Sequence, residues 1–181
     1  SGGKDSVCLL RLAELAGVQF DAHYSVTTID PPELTRFIRR EYPQVEWEMP
    51  RECFFTLCER KGPPTRWGRW CCDHLKENGG EGRRVLTGVR AAESTRRSKY
   101  GIIRKCIAHG KELVSPMLAW TDADVWAFIR AERLPYCSLY DEGFKRLGCI
   151  LCPMQSQAAK VESMRRWPRY WQKFERIVRE C

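Results

Sequence analysis

The first six residues combine the residue types that bind phosphate. They are Ser1, Gly2, Gly3, Lys4, Asp5 and Ser6. Adjacent glycines let the backbone turn its N–H groups towards an anion, and the hydroxyls and the lysine add donors and a positive charge. Apolar residues then recur at helical spacing over 6–16, which predicts a helix whose N-terminal dipole favours the same anion. An ordinary glycine-rich turn is the alternative interpretation.

Four cysteines form two pairs that are far apart in the sequence. They are Cys71, Cys72, Cys149 and Cys152. Four thiolates from two segments make a complete ligand set for zinc or for an iron–sulfur cluster. A disulfide between neighbouring cysteines is strained. The total of ten cysteines favours metal binding over disulfides, because no feature marks the chain as exported.

Length and charge restrict the class of protein. The chain has 181 residues, which suit one domain spanning 1–181 with a hydrophobic core. It has no run of about 18 apolar residues and no leader pattern, so we expect a cytoplasmic protein without a membrane partner. The net charge of +8 predicts an anionic partner, either a nucleotide or a nucleic acid.

Strand and helix patterns alternate in the first part of the chain. We expect strands over 18–28, 45–49 and 84–87, and helices over 6–16, 33–41 and 52–60. Asp30 is the expected N-cap of the second helix. This alternation predicts an α/β fold with a doubly wound, mostly parallel sheet, whose ligands bind at the carboxyl ends of the strands.

The second part of the chain has mainly helical patterns. We expect a helix capped by Thr121 that runs to about residue 132, and an amphipathic helix after Pro168. The domain therefore divides into a nucleotide-binding α/β part, 1–115, and a helical part, 116–181, which carries the second cysteine pair.

A basic and aromatic segment precedes the first cysteine pair. Residues 60–70 contain four Arg or Lys residues together with Trp67 and Trp70, and glycine and proline between them predict a loop. Arginine and lysine attract phosphates, and indole rings stack on bases, so this loop is a candidate surface for a nucleic-acid acceptor. A loop that only covers a metal centre is the alternative.

The first loop resembles the S-G-G-x-D-S loop of the PP-loop ATP pyrophosphatases, a superfamily that includes the PAPS and APS reductases. Residues 87–97 resemble the second nucleotide loop of that family, G-x-R-x-x-E/Q-S-x-x-R, and residues 115–126 resemble its P-L-x-x-W-T-x-x-D-V-W segment. The pattern Cys-Cys followed by Cys-x-x-Cys is similar to the 4Fe–4S motif of APS reductases. In the superfamily a strand precedes the first loop, so we expect that strand upstream of Ser1 or lost by truncation.

The resemblance implies that both loops and the acidic end of a strand hold an adenine nucleotide. The implied nucleotide-binding residues are Ser1, Gly2, Gly3, Lys4, Asp5, Ser6, Asp30, Gly88, Arg90, Ser94 and Arg97. The two arginines offer planar forks for phosphate or sulfate oxygens, although a solvated basic turn is the alternative. The resemblance also implies a 4Fe–4S cluster on Cys71, Cys72, Cys149 and Cys152, with zinc as the alternative cofactor.

Three functions follow from the resemblance. The complete first loop implies an enzyme that cleaves ATP to AMP and pyrophosphate to activate an acceptor, with sulfur transfer as one use of that activation. Lys4 would stabilise the leaving pyrophosphate and Asp5 would hold Mg²⁺. The second function is a true APS or PAPS reductase with Cys181 as the nucleophile, although the reductases' Gly and His do not follow this Cys. The third is a non-catalytic accessory protein that binds a nucleotide.

Overall fold

The computed structural model describes residues 1–77 and 79–180, and these contain seven α-helices and five strands. The helices are α1 (Lys4–Leu15), α2 (Pro32–Glu41), α3 (Phe54–Lys61), α4 (Trp70–Leu75), α5 (Asp122–Ala131), α6 (Gln157–Arg166) and α7 (Pro168–Glu180). The strands are β1 (His23–Ser25), β2 (Glu46–Glu48), β3 (Arg84–Leu86), β4 (Ile103–Cys106) and β5 (Lys111–Val114). Helix and strand alternate from α1 to α3, so the predicted α/β class is confirmed.

The strands pair in two sheets. β1 lies parallel to β2, with Tyr24 opposite Trp47, and β3 lies parallel to β5. β4 pairs antiparallel with β5 and forms an edge of the three-stranded sheet. This antiparallel edge strand is absent from the sequence-based prediction. β1 is also shorter than the expected strand over 18–28, because residues 18–21 are exposed and lie outside the sheet.

Two clusters of buried apolar side chains hold the elements together. The larger cluster joins β1, α2 and α3 to residues of the second part of the chain, including Leu139, Ile150 and Ile177. The smaller one packs Cys8 of α1 against Val125 and Ile129 of α5. Each large aliphatic side chain that becomes fully buried contributes about 1.5–3 kcal/mol. The smaller cluster therefore fixes the start of α5 beside residues 1–6 at the start of α1, which we name the phosphate loop after its predicted ligand.

The predicted helix starts in the second part of the chain are confirmed. The hydroxyl of Thr121 accepts a hydrogen bond from the N–H of Asp124 over 3.2 Å at the start of α5. α7 follows as an amphipathic helix from Pro168, and its Phe174 ring lies 6.2 Å from the ring of Phe54 on α3. Within the described ranges, no helix is both long and apolar enough to cross a membrane.

Candidate active site

The phosphate loop passes against α2 before α1 begins. Gly3 is the N-cap of α1, and its carbonyl accepts hydrogen bonds from the N–H groups of Ser6 (2.9 Å) and Val7 (3.1 Å). Gly2 is buried, and a Cβ at this position would lie 2.5 Å from Cγ1 of Ile38. Packing against α2 therefore requires glycine here, in addition to any requirement for anion binding.

Protein groups already satisfy some donors of the loop. The backbone N–H of Lys4 donates to the hydroxyl of Tyr140 over 2.9 Å. The hydroxyls of Ser1 and Ser6 bond to each other at 2.7 Å. Tyr140 thus closes one side of the loop, a role that its sequence context does not indicate.

Lys4 and Arg90 converge on a single carboxylate oxygen. Oδ1 of Asp122 lies 3.2 Å from Nζ of Lys4 and 2.7 Å from Nη2 of Arg90. Nε of Arg90 also donates to Oδ1 of Asp5 over 2.6 Å, and Nζ of Lys4 lies 3.6 Å from the other Asp5 oxygen. The side chains of Lys4 and Arg90 are each 5% exposed, whereas that of Asp122 is 63% exposed. Two buried cations thus lie beneath a solvent-accessible carboxylate.

The electrostatics of this group keep its members charged. Burial opposes the charged form of Asp122, but hydrogen bonds from Lys4 and Arg90 hold the pKa of its carboxyl below the usual range. Burial likewise opposes the charged form of Arg90, but the charge of Asp5 and the hydrogen bond to Asp122 raise the pKa of the guanidinium. Removal of one carboxylate would therefore leave buried positive charge that an anion could neutralise.

The second predicted loop lies against the first. A Cβ on Gly88 would lie 3.2 Å from the carbonyl oxygen of Asp5, so glycine permits this close approach. The N–H of Arg90 donates to Glu93 over 3.0 Å, and Arg97 forms an ion pair with the same carboxylate. The side chain of Arg90 therefore reaches the phosphate loop, whereas the guanidinium of Arg97 is held by Glu93. Ser94, the remaining predicted residue of this loop, is exposed.

Asp30 closes the turn after β1 and does not cap α2. One of its oxygens accepts a hydrogen bond from the N–H of Thr27 over 2.9 Å, while the N-cap of α2 is Pro31. The predicted cap is therefore wrong, because the strand-end turn takes the carboxylate instead. Thr28 in the same turn has a φ of 63°, which is uncommon for a β-branched residue, and its hydroxyl accepts from the N–H of Phe54.

The second cysteine pair docks on this turn. The N–H of Ile150 donates to the carbonyl of Ile29 over 2.9 Å, and Sγ of Cys149 lies 3.6 Å from the hydroxyl of Thr27. The first pair lies in the opening turn of α4. A hydrogen bond with Cys72 raises the pKa of the Cys71 thiol, as do burial and the nearby thiols of Cys149 and Cys152. The fold thus brings both pairs into one neighbourhood.

The four cysteines are thiols that are not in disulfides. Across residues 1–77 and 79–180, no three Cys, His, Asp or Glu side chains converge as ligands of one metal ion. In a 4Fe–4S cluster each thiolate binds a different iron, whereas zinc requires ligands that converge tetrahedrally on one ion. The donor chemistry, four thiolates from two segments, therefore fits either a 4Fe–4S cluster or a zinc site with four cysteine ligands.

A cavity of about 460 Å³ opens where β1 and β2 end. Ser25 and Glu48, the last residues of these strands, line it together with residues of α3 and α4 and with Lys76. Burial lowers the pKa of Lys76, but the nearby Cys149 and Asp30 outweigh it and raise that pKa. This lysine therefore links the cavity to the cysteines. A cavity of about 750 Å³ beside α6 is lined by no residue of either loop.

The two loops and the four cysteines lie within one recognised domain. The sequence profile of the phosphoadenosine phosphosulfate reductase domain matches residues 1–155. The chain belongs to this family. The resemblance of the first loop to the PAPS and APS reductases is therefore confirmed.

Relatives of this PAPS reductase-family chain include longer proteins. An uncharacterized protein of Methanocaldococcus jannaschii is 28% identical over 194 residues, which cover 99% of the chain and 40% of that protein. An adenosine 5'-phosphosulfate reductase of Staphylococcus epidermidis is 28% identical over 169 residues, or 84% of the chain and 68% of the reductase. The chain thus spans less than half the length of the uncharacterized relative.

Solved structures with the same fold include two kinds of nucleotide enzyme. A PAPS reductase from Candida auris, solved as a phosphate complex, superposes with a TM-score of 0.61 at 21% sequence identity. The match covers 82% of this chain and 77% of the reductase chain. An FMN adenylyltransferase from Candida glabrata, solved with FMN and an ATP analogue, superposes with a TM-score of 0.54 at 20% sequence identity. The match covers 82% of this chain and 52% of the adenylyltransferase chain. At these identities the likeness concerns the fold.

The structure places most of the sequence-predicted site residues of this family member together and adds two. Lys4, Asp5, Gly88 and Arg90 meet at the start of α1, as the two loop motifs predict. Asp122 and Tyr140 join them through tertiary contacts. Cys181, the candidate nucleophile, lies outside the described residues.

Proposed function

We propose that this chain binds an adenine nucleotide through its two loops and cleaves ATP between the α and β phosphates to activate an acceptor. The observation that carries the proposal is the convergence of Lys4 and Arg90 on one oxygen of Asp122 at the start of α1. A phosphate oxygen in that position would receive two buried positive charges and the favourable end of the helix dipole.

The proposed step is an adenylyl transfer. A nucleophilic oxygen or nitrogen of the acceptor attacks the α-phosphorus, and the bond from that phosphorus to the oxygen that bridges it to the β-phosphorus breaks. The pyrophosphate leaves with both electrons of that bond, and the proton of the acceptor passes to solvent. Lys4 and Arg90 stabilise the charge that develops on the leaving group. AMP is released when a second nucleophile, such as a sulfur donor, displaces it from the acceptor.

Magnesium fits this site better as a partner of the nucleotide than as an ion held beforehand by Asp5. Both oxygens of Asp5 already lie near cations, with Arg90 on one and Lys4 on the other. A divalent ion on Asp5 would have to displace these contacts. Asp122 is the more accessible carboxylate and would be the first to meet an ion that arrives with the phosphates.

The four cysteines would hold a 4Fe–4S cluster, which supplies electron or sulfur chemistry when bound. Cys149 and Cys152 would supply one side of the ligand set from the loop on Thr27, and Cys71 and Cys72 would supply the other from α4. The contact between this loop and the end of β1 would set the distance between the cluster and the nucleotide.

A sulfonucleotide reductase is the second candidate function. The observation in its favour is that relatives covering most of the chain, such as the reductase of Staphylococcus epidermidis, are named as acting on adenosine 5'-phosphosulfate. The fold shared with an FMN adenylyltransferase that binds an ATP analogue instead supports adenylyl transfer. The complete first loop favours the ATP reaction.

Anaerobic calorimetry on iron-reconstituted protein tests the proposal directly. MgATP, APS and PAPS are titrated in parallel, and AMP and pyrophosphate are measured in the same samples. We expect MgATP to bind most tightly and Lys4→Ala to abolish binding. Lys145→Ala, which removes the same charge from an exposed site, is the matched control.

The outcomes separate the candidate functions. Preferential binding of APS or PAPS, with sulfite as the product, would replace the ATP reaction by the reductase reaction. Binding of ATP without turnover in the presence of any acceptor would indicate an accessory protein. If Lys4→Ala binds ATP as tightly as the unchanged chain, the phosphate site lies elsewhere.

A further inference from the structure

An exposed tryptophan stands at the tip of an ordered turn between α3 and α4. The N–H of Thr65 donates to the carbonyl of Gly68 over 3.1 Å, and the N–H of Gly68 donates to the hydroxyl of Thr65 over 2.9 Å. Trp67 lies between them and is 98% exposed. The turn therefore holds an indole ring in solvent, where it buries almost no area against the protein.

The turn is fastened at both of its sides. On one side, the indole N–H of Trp70 donates to the carbonyl of Gly62 over 3.1 Å. On the other, the guanidinium of Arg66 donates to the carbonyls of Pro153 (3.3 Å) and Gln155 (3.2 Å). These bonds fix the direction of the turn's backbone, and the backbone presents the ring of Trp67 to solvent.

Positively charged residues flank Trp67 in the sequence. Residues 60–70 contain four Arg or Lys residues and no Asp or Glu. Arg66 bonds only to backbone carbonyls, and in the part of the chain that the structure describes Lys61 and Arg69 form no ion pair. Lys173 of α7 adds a further cation beside α3, with its ammonium 4.5 Å from the centre of the Phe55 ring. Arg60 is paired with Glu52, so Lys61, Arg66 and Arg69 are the cations of this segment that remain for a polyanion.

The turn also spans the two cysteine segments. Arg66 bonds to the chain immediately after Cys152, and the helix that follows the turn opens with Trp70, Cys71 and Cys72. The two helices that the turn connects supply residues to the 460 Å³ cavity. The cavity residues lie towards the ends of these helices away from the turn, so a molecule bound on Trp67 would lie beside the cysteine segments.

We propose that this turn and its cations, which we name the Trp67 platform (residues 61–69), bind a single-stranded nucleic acid, and that this strand is the acceptor of the activated group. The acceptor role of the strand rests on the proposed function, whereas strand binding rests on the platform alone. A base would stack on the indole of Trp67, and neighbouring phosphates would contact Lys61 and Arg69. Stacking requires an unpaired base, so the platform favours a single strand over a duplex.

Fluorescence anisotropy with labelled 12-nucleotide strands of deoxythymidine and of uridine tests the platform. We expect binding that weakens steeply as salt is raised, because phosphate contacts release counterions. Trp67→Ala should weaken binding about tenfold, since stacking of one base contributes about 1–3 kcal/mol. Trp67→Phe should retain most of the affinity, because phenylalanine keeps an aromatic face.

Two control variants separate stacking from a general loss of surface or charge. Ile107→Ala removes another side chain that is 93% exposed, and Arg40→Ala removes a positive charge from α2. Both should bind the strands within about twofold of the unchanged chain. Because Trp67 is exposed, its variants should melt at the same temperature as the unchanged chain.

The results distinguish this inference from the proposed function. If the unchanged chain binds no strand at low salt, or if Trp67→Ala binds the strands as tightly as the unchanged chain, the inference is wrong. Tighter binding of a duplex than of a single strand would also overturn it. Strand binding without ATP binding would overturn the proposed function and the acceptor role of the strand, but not strand binding by the platform. ATP cleavage without strand binding would overturn only the platform.

Discussion

Oδ1 of Asp122 lies 2.7 Å from Nη2 of Arg90. Arg90 is the arginine of the second loop motif, and the motif predicts that its guanidinium binds phosphate. The same oxygen of Asp122 is 3.2 Å from Nζ of Lys4. A carboxylate oxygen and a phosphate oxygen make the same charge-assisted bonds, so Asp122 occupies a position that a bound phosphate would need. In the proposed function, an incoming nucleotide would therefore displace this carboxylate or bridge to it through a metal ion.

Asp122→Asn should tighten the binding of pyrophosphate measured without Mg²⁺. The substitution removes a competing negative charge while it leaves Lys4 and Arg90 in place. We expect about a two- to fivefold lower Kd, because a half-exposed ion pair contributes about 1 kcal/mol or less. Calorimetry with inorganic pyrophosphate measures the change.

Asp124→Asn is the matched control for that substitution. Asp124 lies two residues further along α5 and is exposed, and within the described part of the chain its hydrogen bonds are with Thr121. Its loss should reduce helix stability slightly and leave the Kd for pyrophosphate unchanged. An Asp122→Asn protein that binds pyrophosphate more weakly than the unchanged chain would mean that Asp122 orients the two cations instead of competing with the anion.

Gly2→Ala should lower the free energy of unfolding by about 1–3 kcal/mol. The new Cβ would lie 2.5 Å from Cγ1 of Ile38 and 2.9 Å from Cδ1 of Leu34, so α2 or the loop must move. Gly148→Ala is the control, because a Cβ there meets no atom within 4 Å and the glycine has no positive φ. Urea denaturation of both variants measures the difference, and equal stabilities would show that the loop adapts without cost.

Sequence patterns predict the elements that carry strong local signals. α1 follows a loop motif, and α5 begins at Thr121, whose hydroxyl makes the expected cap. β4 and β5 escape prediction because they contain charged residues at half of their positions and are stabilised by pairing with each other. α4 is only six residues long and depends on a tertiary contact, the stacking of Trp70 on Phe54 at 5.7 Å.

Some residues of the candidate site can be predicted from local sequence motifs, whereas others are brought there only by tertiary packing. Lys4 and Arg90 are predictable because each lies in a loop motif with a physical reason for its residue types. Asp122 looks in the sequence like an ordinary acidic residue in the first turn of a helix. Its role arises only when α5 packs against α1 through Cys8, Val125 and Ile129, and no local pattern records that packing.

Cys149→Ala should prevent assembly of the iron–sulfur cluster. This thiol belongs to the loop that docks on Thr27, so its loss removes one ligand without removing the hydrogen bond from Ile150 to Ile29. We expect the visible absorbance of the reconstituted protein and its bound iron to fall together. Cys106→Ala, on the edge strand β4, should retain both. Retention of the cluster in Cys149→Ala would contradict the assignment of this thiol as a ligand. A stoichiometric content of zinc instead of iron in the unchanged chain would contradict the assignment of the cofactor.

Cys53 should be the cysteine outside the proposed cluster that reacts fastest with iodoacetamide at pH 7. The hydrogen bond between its sulfur and the hydroxyl of Thr56, with further backbone donors at the start of α3, lowers the pKa of this thiol. A lower pKa places more of the group in the reactive thiolate form at neutral pH. Burial instead raises the pKa of Cys8 to about 12, so that thiol should stay unmodified until the protein unfolds.

Mass spectrometry of the peptides that contain Cys53 and Cys8 measures these rates along a pH series from about 6 to about 9, which spans the range in which thiols ionise. The rate at Cys53 should level off at a lower pH than the rate of free N-acetylcysteine, because a thiol with a depressed pKa is fully ionised at a lower pH. Thr56→Val keeps the size of the side chain but removes the hydroxyl, so it should shift the Cys53 profile to higher pH. An unchanged profile would assign the depressed pKa to the helix N-terminus and not to Thr56, since the backbone donors remain in that variant.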